Sequence, residues 1–207
     1  MNRAAFLDRD GVINRKAPEG RYVTRWEQMR LLPGVASAIA GLRQAGFRVI
    51  VVSNQRCVAK GLVTAAGMDA IHRQMRAELA AAGGAIDAVY YCPHEKLPPC
   101  GCRKPAPGML FAAAREHRID LAASWMIGDS DVDMSAGRSA GCKTAMLTDK
   151  RAAFGADVVA GSLLEAVAKI VDCDASLRSG CEVARKSERR RPMEPRALEA
   201  MGKAKHR

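Results

Sequence analysis

Six short apolar runs, separated by segments with helical spacing, constrain this chain more than any other feature. The runs are Ala4 to Leu7, Phe47 to Val52, Ala88 to Tyr91, Trp125 to Ile127, Thr144 to Leu147 and the small Val158-Val159. Continuous apolar stretches of this length, bounded by turn residues, read as strands buried on both faces. Between them lie Val35, Ile39 and Leu42, then Met68, Ile71, Met75 and Leu79, then Leu110, Phe111 and Ala114 at helical spacing. Val132 to Ala140 and Leu163 to Val171 read as two further helices. The punctuation agrees. Pro33-Gly34 opens the first helix and Gly46 closes it, Thr64 caps the second and Gly83-Gly84 ends it, and Pro107 starts the third. Such β-α alternation predicts an α/β fold, a doubly wound parallel sheet with helices on both faces. From Asn14 to Met29 there is no regular period, and Pro18 and Gly20 interrupt it, so this stretch reads as a long loop over the sheet edge.

Ligands of doubly wound sheets bind beyond the carboxyl ends of the strands, where the strand order reverses. Four polar groups map to that edge: Asp8 with Asp10, Ser53 with Asn54, the Arg103-Lys104 pair, and Asp129. Residues i and i+2 of extended chain share a face, so Asp8 and Asp10 can converge on one metal or phosphoryl group. Taken alone, Asp8-Arg9-Asp10-Gly11 also fits a turn, a calcium ligand pair or a nucleotide-sugar site. It is not an EF-hand loop, because Gly11 is fourth from Asp8 and that loop needs glycine sixth.

The chain has 207 residues and 48% hydrophobic content, enough for one α/β domain and a modest appendage. No run approaches the roughly 18 apolar residues of a membrane span, and Asp8, Arg9 and Asp10 stand where a signal peptide needs its apolar core. A soluble cytoplasmic protein with no membrane partner is expected. The net charge of +11 invites a nucleic-acid reading, but +6 of it lies from Arg178 to Arg207. That segment has few apolar residues and contains Pro192 and Pro195. It reads as a basic, mostly disordered tail over 178–207 appended to a domain over 1–177. Few aromatics flank the charges, so no specific nucleic-acid surface is expected.

Three of the seven cysteines cluster with a histidine as Cys92-Pro93-His94, five residues, then Cys100-Gly101-Cys102. Three thiolates and one imidazole make a closed tetrahedral site of the structural Zn2+ type. A group of free thiols or a redox pair is the alternative. The loop leads directly into Arg103-Lys104-Pro105, so a metal there anchors the segment that carries the two cations. Cys57, Cys142, Cys173 and Cys181 have no partner pattern, and Cys142 is expected in the core.

Asp8-x-Asp10-Gly11 on the first strand, Ser53-Asn54 on a later one, Lys104 before Pro105, and Gly128-Asp129 followed by Asp133 together resemble the haloacid dehalogenase-like phosphohydrolases. The resemblance spans Ala4 to Val171. It implies a Rossmann-like haloacid dehalogenase fold, here without a large cap, which is compatible with a monomer. It further implies Asp8 as nucleophile and Asp10 as the acid and base. Mg2+ would sit on Asp8, the main-chain carbonyl of Asp10 and Asp129, with Asp133 supporting it. Ser53, Asn54, Arg103 and Lys104 would bind the phosphorylated substrate.

A Zn2+ loop on Cys92, His94, Cys100 and Cys102 narrows the resemblance to two groups of small phosphatases. These act on D-glycero-D-manno-heptose 1,7-bisphosphate or on histidinol phosphate. Arg103-Lys104-Pro105-x-Pro107-Gly108-Met109-Leu110, and Val51-Val52-Ser53-Asn54-Gln55 followed by Ala59-Lys60-Gly61, are similar to the first group. A bisphosphate sugar favours extra cations, and Arg56, Lys60 and Arg103 offer them. The sequence departs from the pattern at Arg56-Cys57, where a small Ser-Gly pair is usual, and at Ser130, where many relatives carry Lys or Arg. The resemblance also implies a role in nucleotide-activated heptose synthesis for lipopolysaccharide or another surface glycan.

Overall fold

A computed structural model describes residues 1–148 and 154–173 of the chain. Six strands form one parallel sheet: β1 (Arg3–Leu7), β2 (Phe47–Asn54), β3 (Ala88–Cys92), β4 (Trp125–Gly128), β5 (Lys143–Leu147) and β6 (Val158–Ala160). Four helices connect them: α1 (Val35–Gln44), α2 (Ala65–Ala81), α3 (Gly108–His117) and α4 (Asp131–Ala140). A further helix, α5, occupies residues 163–173. The strand order is β3-β2-β1-β4-β5-β6. The chain winds outward from β1 through β2 to β3, then crosses to β4 on the other side of β1 and winds outward again. The order therefore reverses between β1 and β4, where Leu7 pairs with Ile127 and Ala5 with Trp125.

Alternation along the strands builds two cores. Ala5, Leu7, Val49, Val51 and Ile127 face Val35, Ile39, Met75 and Leu79 of α1 and α2, together with Leu163, Val167 and Ile170 of α5. Ala4, Phe6, Ile50, Val52 and Met126 face Met109, Leu110, Ala136 and Ala140 of α3 and α4. Phe6, Leu7 and Met126 are fully buried, each worth about 1.5–3 kcal/mol relative to exposure. These are the two faces of a doubly wound sheet, as the sequence predicts. Met1–Val171 is one compact unit with no separate cap domain among its described residues.

The structure differs from expectation at element ends. β2 runs on to Asn54 and β3 to Cys92, so a polar residue and a thiol are last in their strands. α4 starts at Asp131 rather than Val132. The stretch from Asn14 to Met29 holds a 3-10 turn at Trp26–Gln28 and is stitched back by bridges from Asn14 to Asp10 and Leu31. A single turn of three residues leaves no periodic signal in sequence. Thr64 caps α2 as expected, accepting from the Gly67 N–H at 3.0 Å. The expected tail over 178–207, including Cys181, lies outside the described residues. Among the described residues no helix is long and apolar enough to cross a membrane.

Candidate active site

β1 stops because Asp8-Arg9-Asp10-Gly11 supplies charges and a residue with positive φ. Gly11 has φ +98°, and any Cβ on it would collide with the Asp129 carboxylate. Gly128 serves the neighbouring strand end in the same way: a Cβ there would meet the Asp133 side chain. These two glycines let the chain ends of β1 and β4 close on each other.

Lys104 sits at the centre, 3% exposed. Its ammonium lies 2.8 Å from Asp8 Oδ1 and 2.6 Å from Asp133 Oδ1, and it donates to the Val52 carbonyl at 2.8 Å. The Val52 carbonyl is its hydrogen-bond acceptor, whereas Asp8 and Asp133 approach it as ion pairs, and Asp133 Oδ1 has no hydrogen-bond partner among the described residues. Burial alone would lower the Lys104 pKa, but the carboxylates of Asp8 and Asp133 outweigh that and raise it. Asn54 locks the same residue by its backbone, donating to the Lys104 carbonyl at 3.0 Å and accepting from the Lys104 N–H at 3.1 Å.

Asp8 and Asp10 have opposite surroundings. Burial pushes Asp8 up to about 6 against the pull of Lys104, with Asp133 and Asp10 adding to the rise. Burial also penalises Asp10, yet the charge of Arg9 and hydrogen bonds from Asn14, Gln55 and Arg9 hold it below its ordinary value. Ser53 is buried and accepts from Gln55 Nε2 at 2.8 Å, which leaves its own proton free to point elsewhere.

Asp8, Asp129 and Asp133 bring carboxylate oxygens within 4.8 Å of one another. Asp129 Oδ1 is buried and has no hydrogen-bond partner among the described residues. Three converging carboxylates, two of them with a buried oxygen that lacks a hydrogen-bond partner among the described residues, suit a hard divalent cation. The Asp10 carboxylate stands outside this group, engaged by its own donors.

The four Zn2+ candidates also converge. Cys92 Sγ lies 3.6 Å from both His94 Nδ1 and Cys100 Sγ, His94 Nδ1 is 3.2 Å from Cys102 Sγ, and Cys100 and Cys102 are 3.5 Å apart. A tetrahedral Zn2+ site with Zn–S near 2.3 Å separates its ligand atoms by about 3.5–3.8 Å, so the donor set fits. Burial raises the Cys100 thiol, but the Arg103 backbone N–H and hydrogen bonds from its cluster neighbours bring it down to about 6. Burial and the neighbouring cysteines push Cys102 up to about 12.

A cavity of about 300 Å³ opens on the first group. Asp8, Asp10, Ser53, Asn54, Lys104 and Asp129 line it, and residues 16–23 of the long loop form its other wall. Arg103 is not in this lining; its guanidinium donates to the His94 carbonyl at 3.3 Å. Arg56 pairs with Glu95 of the cysteine loop, and the Lys60 ammonium stands 5.8 Å from the Tyr22 ring centroid. Two participants escaped the sequence reading. Lys16 reaches Asp129 Oδ2 at 2.9 Å, and Arg9 buries its guanidinium against Asp10. For Lys16 the one available signal was the length of its loop. For Arg9 there was none, because a charged residue between two aspartates reads as exposed.

The D-glycero-beta-D-manno-heptose-1,7-bisphosphate 7-phosphatase of Bordetella bronchiseptica is 43% identical over 137 residues, 66% of this chain and 75% of that protein. The chain belongs to the haloacid dehalogenase-like hydrolases. Within this family, a D-glycero-alpha-D-manno-heptose-1,7-bisphosphate 7-phosphatase of Mycobacterium bovis is 43% identical over 130 residues, 62% of this chain and 68% of that protein. The HAD-hydrolase-like family model matches residues 101–166. The crystal structure of the B. bronchiseptica D,D-heptose 1,7-bisphosphate phosphatase, complexed with magnesium and phosphate, superposes with a TM-score of 0.74 at 35% identity. It covers 82% of this chain and 98% of that one.

Proposed function

We propose that the protein is a Mg2+-dependent phosphoric monoester hydrolase that removes the 7-phosphate of D-glycero-D-manno-heptose 1,7-bisphosphate. The observation that carries the reading is Lys104, which ties Asp8 to Asp133 in the floor of a cavity at the switch point between β1 and β4. A phosphate monoester dianion repels nucleophiles, so its transfer requires an in-line carboxylate and fixed positive charge around the equatorial oxygens.

An Asp8 oxygen attacks phosphorus, the bond from phosphorus to the sugar oxygen breaks, and Asp10, which must take up a proton as substrate binds because its carboxylate is held ionised in the free protein, gives that oxygen the proton. Water then attacks the aspartyl-phosphate, Asp10 takes its proton, and inorganic phosphate leaves with Asp8 restored. Ser53 and Lys104 hold the phosphoryl group, while Asn54 fixes the Lys104 backbone. Asp8, the main-chain carbonyl of Asp10 and Asp129 would hold Mg2+, which when bound neutralises charge on the transferring group. Asp133 steadies Lys104 through its ion pair and would support the metal site from behind. Cys92, His94, Cys100 and Cys102 would hold a structural Zn2+ that braces the segment carrying Arg103 and Lys104.

The names of the relatives support the heptose substrate in either anomeric form. We place the enzyme in the cytoplasm, as a monomer, in synthesis of nucleotide-activated heptose for lipopolysaccharide or another surface glycan. Free-phosphate release with Mg2+ from both anomers of the bisphosphate and from histidinol phosphate tests the reading. A bisphosphate should give the highest kcat/KM; a clear preference for histidinol phosphate overturns it.

A further inference from the structure

The Asp10 carboxylate accepts four hydrogen bonds. Oδ1 receives Arg9 at 3.1 Å and Asn14 at 2.9 Å, and Oδ2 receives Arg9 and Gln55, each at 2.9 Å. Two of the four come from one nitrogen of a guanidinium that is 1% exposed. The other terminal nitrogen of Arg9 lies 3.1 Å from His72 Nε2 and 3.3 Å from Met68 Sδ, both on α2. Arg9 Nε has no hydrogen-bond partner among the described residues. The guanidinium is therefore held by its two terminal nitrogens alone.

Arginine keeps its protons in proteins, so every one of its nitrogens is a donor. His72 Nε2 must then be the acceptor, which fixes a neutral imidazole with its proton on Nδ1. Burial and the nearby Arg9 charge, against a smaller opposing pull from Asp10, hold the His72 pKa down to about 3, in keeping with that tautomer. The Tyr91 ring packs on the imidazole at 5.3 Å between centroids. α2 itself is anchored in the core by Ile71, Met75 and Leu79. A rigid helix thus sets one end of the guanidinium, and the other end sets Asp10.

We propose that His72 is a positioning residue for the reaction, acting through Arg9 to fix the plane of the Asp10 carboxylate. The proposal rests on the reading of Asp10 as the acid that protonates the leaving oxygen. Proton delivery depends on orientation, and small misplacements of a catalytic group cost orders of magnitude. Without an acceptor at position 72, the Arg9 nitrogen that faces α2 keeps only the Met68 thioether, a weak partner, and one of its N–H groups loses its acceptor. The buried guanidinium then shifts to find another, carrying Asp10 with it.

Leaving-group dependence separates this role from a merely structural one. A sugar alkoxide needs the proton from Asp10, whereas nitrophenolate departs without it. Rapid-quench measurement of phosphoryl transfer to Asp8 in the full chain with Mg2+ compares heptose 1,7-bisphosphate with p-nitrophenyl phosphate. If wild type does not use the bisphosphate, the sugar phosphate it does hydrolyse takes its place. Asp10→Asn should lose about 100-fold on the sugar ester and little on the nitrophenyl ester. His72→Leu should lose about tenfold on the sugar ester and stay within about twofold on the other, which also certifies its folding. His72→Gln, whose side-chain oxygen can accept from Arg9, should return to within about threefold of wild type. Equal losses on both esters in His72→Leu, or no loss, overturn the proposal while leaving the role of Asp10 standing. An Asp10→Asn variant that does not discriminate between the esters removes the acid reading, and the proposal with it.

Discussion

Lys104 is the residue on which the acidic floor depends. Asp8 and Asp133 approach the same ammonium, and Asp133 is fully buried, so without Lys104 two carboxylates face each other in a medium of low polarity. Breaking a buried ion pair by removing one partner is far more costly than the pair is stabilising, because the survivor stays desolvated. Lys104→Met should therefore destabilise the fold by about 3–5 kcal/mol, read as a lower urea midpoint with an unchanged slope. It should also lower phosphate release by about 10²–10³-fold through the lost phosphoryl contact. A variant within tenfold of wild-type turnover would remove Lys104 from the phosphoryl site. Asn54 illustrates a different kind of contribution, since its amide exchanges two hydrogen bonds with the Lys104 backbone. It lines the cavity, yet its side chain is already committed to holding the lysine.

At the scale of elements, the segment between β3 and α3 joins the two candidate metal-ligand groups. Cys92 ends β3 beside Asn54 at the end of β2, and ten residues later Cys102 hands over to Arg103 and Lys104. Glu95 in the same loop pairs with Arg56. Removing the proposed Zn2+ with a strong chelator, with Mg2+ added back, should free this loop, lower turnover at least about tenfold and leave the Mg2+ requirement in place. Activity assayed after chelation, with metal content measured alongside, checks this; full activity in Zn2+-free protein refutes the bracing role. Elements were legible in the sequence to the extent that they were regular. The six strands and the helices between them follow from apolar spacing; Asp8, Ser53 and Asp129 follow from standing at strand ends, and Lys104 from preceding Pro105 at the end of the cysteine loop. The wall of the cavity at residues 16–23 was legible as a long loop but not by residue, because an aperiodic segment gives no register. Lys16 on Asp129 and the Arg9 link to α2 depend on tertiary approach across 113 and 63 residues, and local pattern carries no trace of such pairs.

Across the whole molecule, the residues of the proposed chemistry and most of the excess charge fall in different parts of the sequence. Every residue assigned to the proposed reaction lies within Met1–Val171, on strand ends, loops and the first turn of α4 at one edge of a sheet whose two cores are closed on both faces. The excess positive charge is distributed otherwise, with +6 of the net +11 beyond Leu177. At about 0.15 M salt, charges more than about 8 Å from a site are largely screened, so the segment after Leu177 affects an anionic substrate there only if it reaches the cavity. Ending the chain after Leu177 should keep kcat/KM for the bisphosphate within about twofold at physiological salt. Its thermal midpoint should move by no more than a few degrees, since every core residue of the described part is kept. At low ionic strength the same truncation should slow substrate capture measurably, because long-range steering then survives. A loss above about tenfold at physiological salt, beyond what screened charge can supply, would mean that the segment after Leu177 reaches the cavity and belongs to the site.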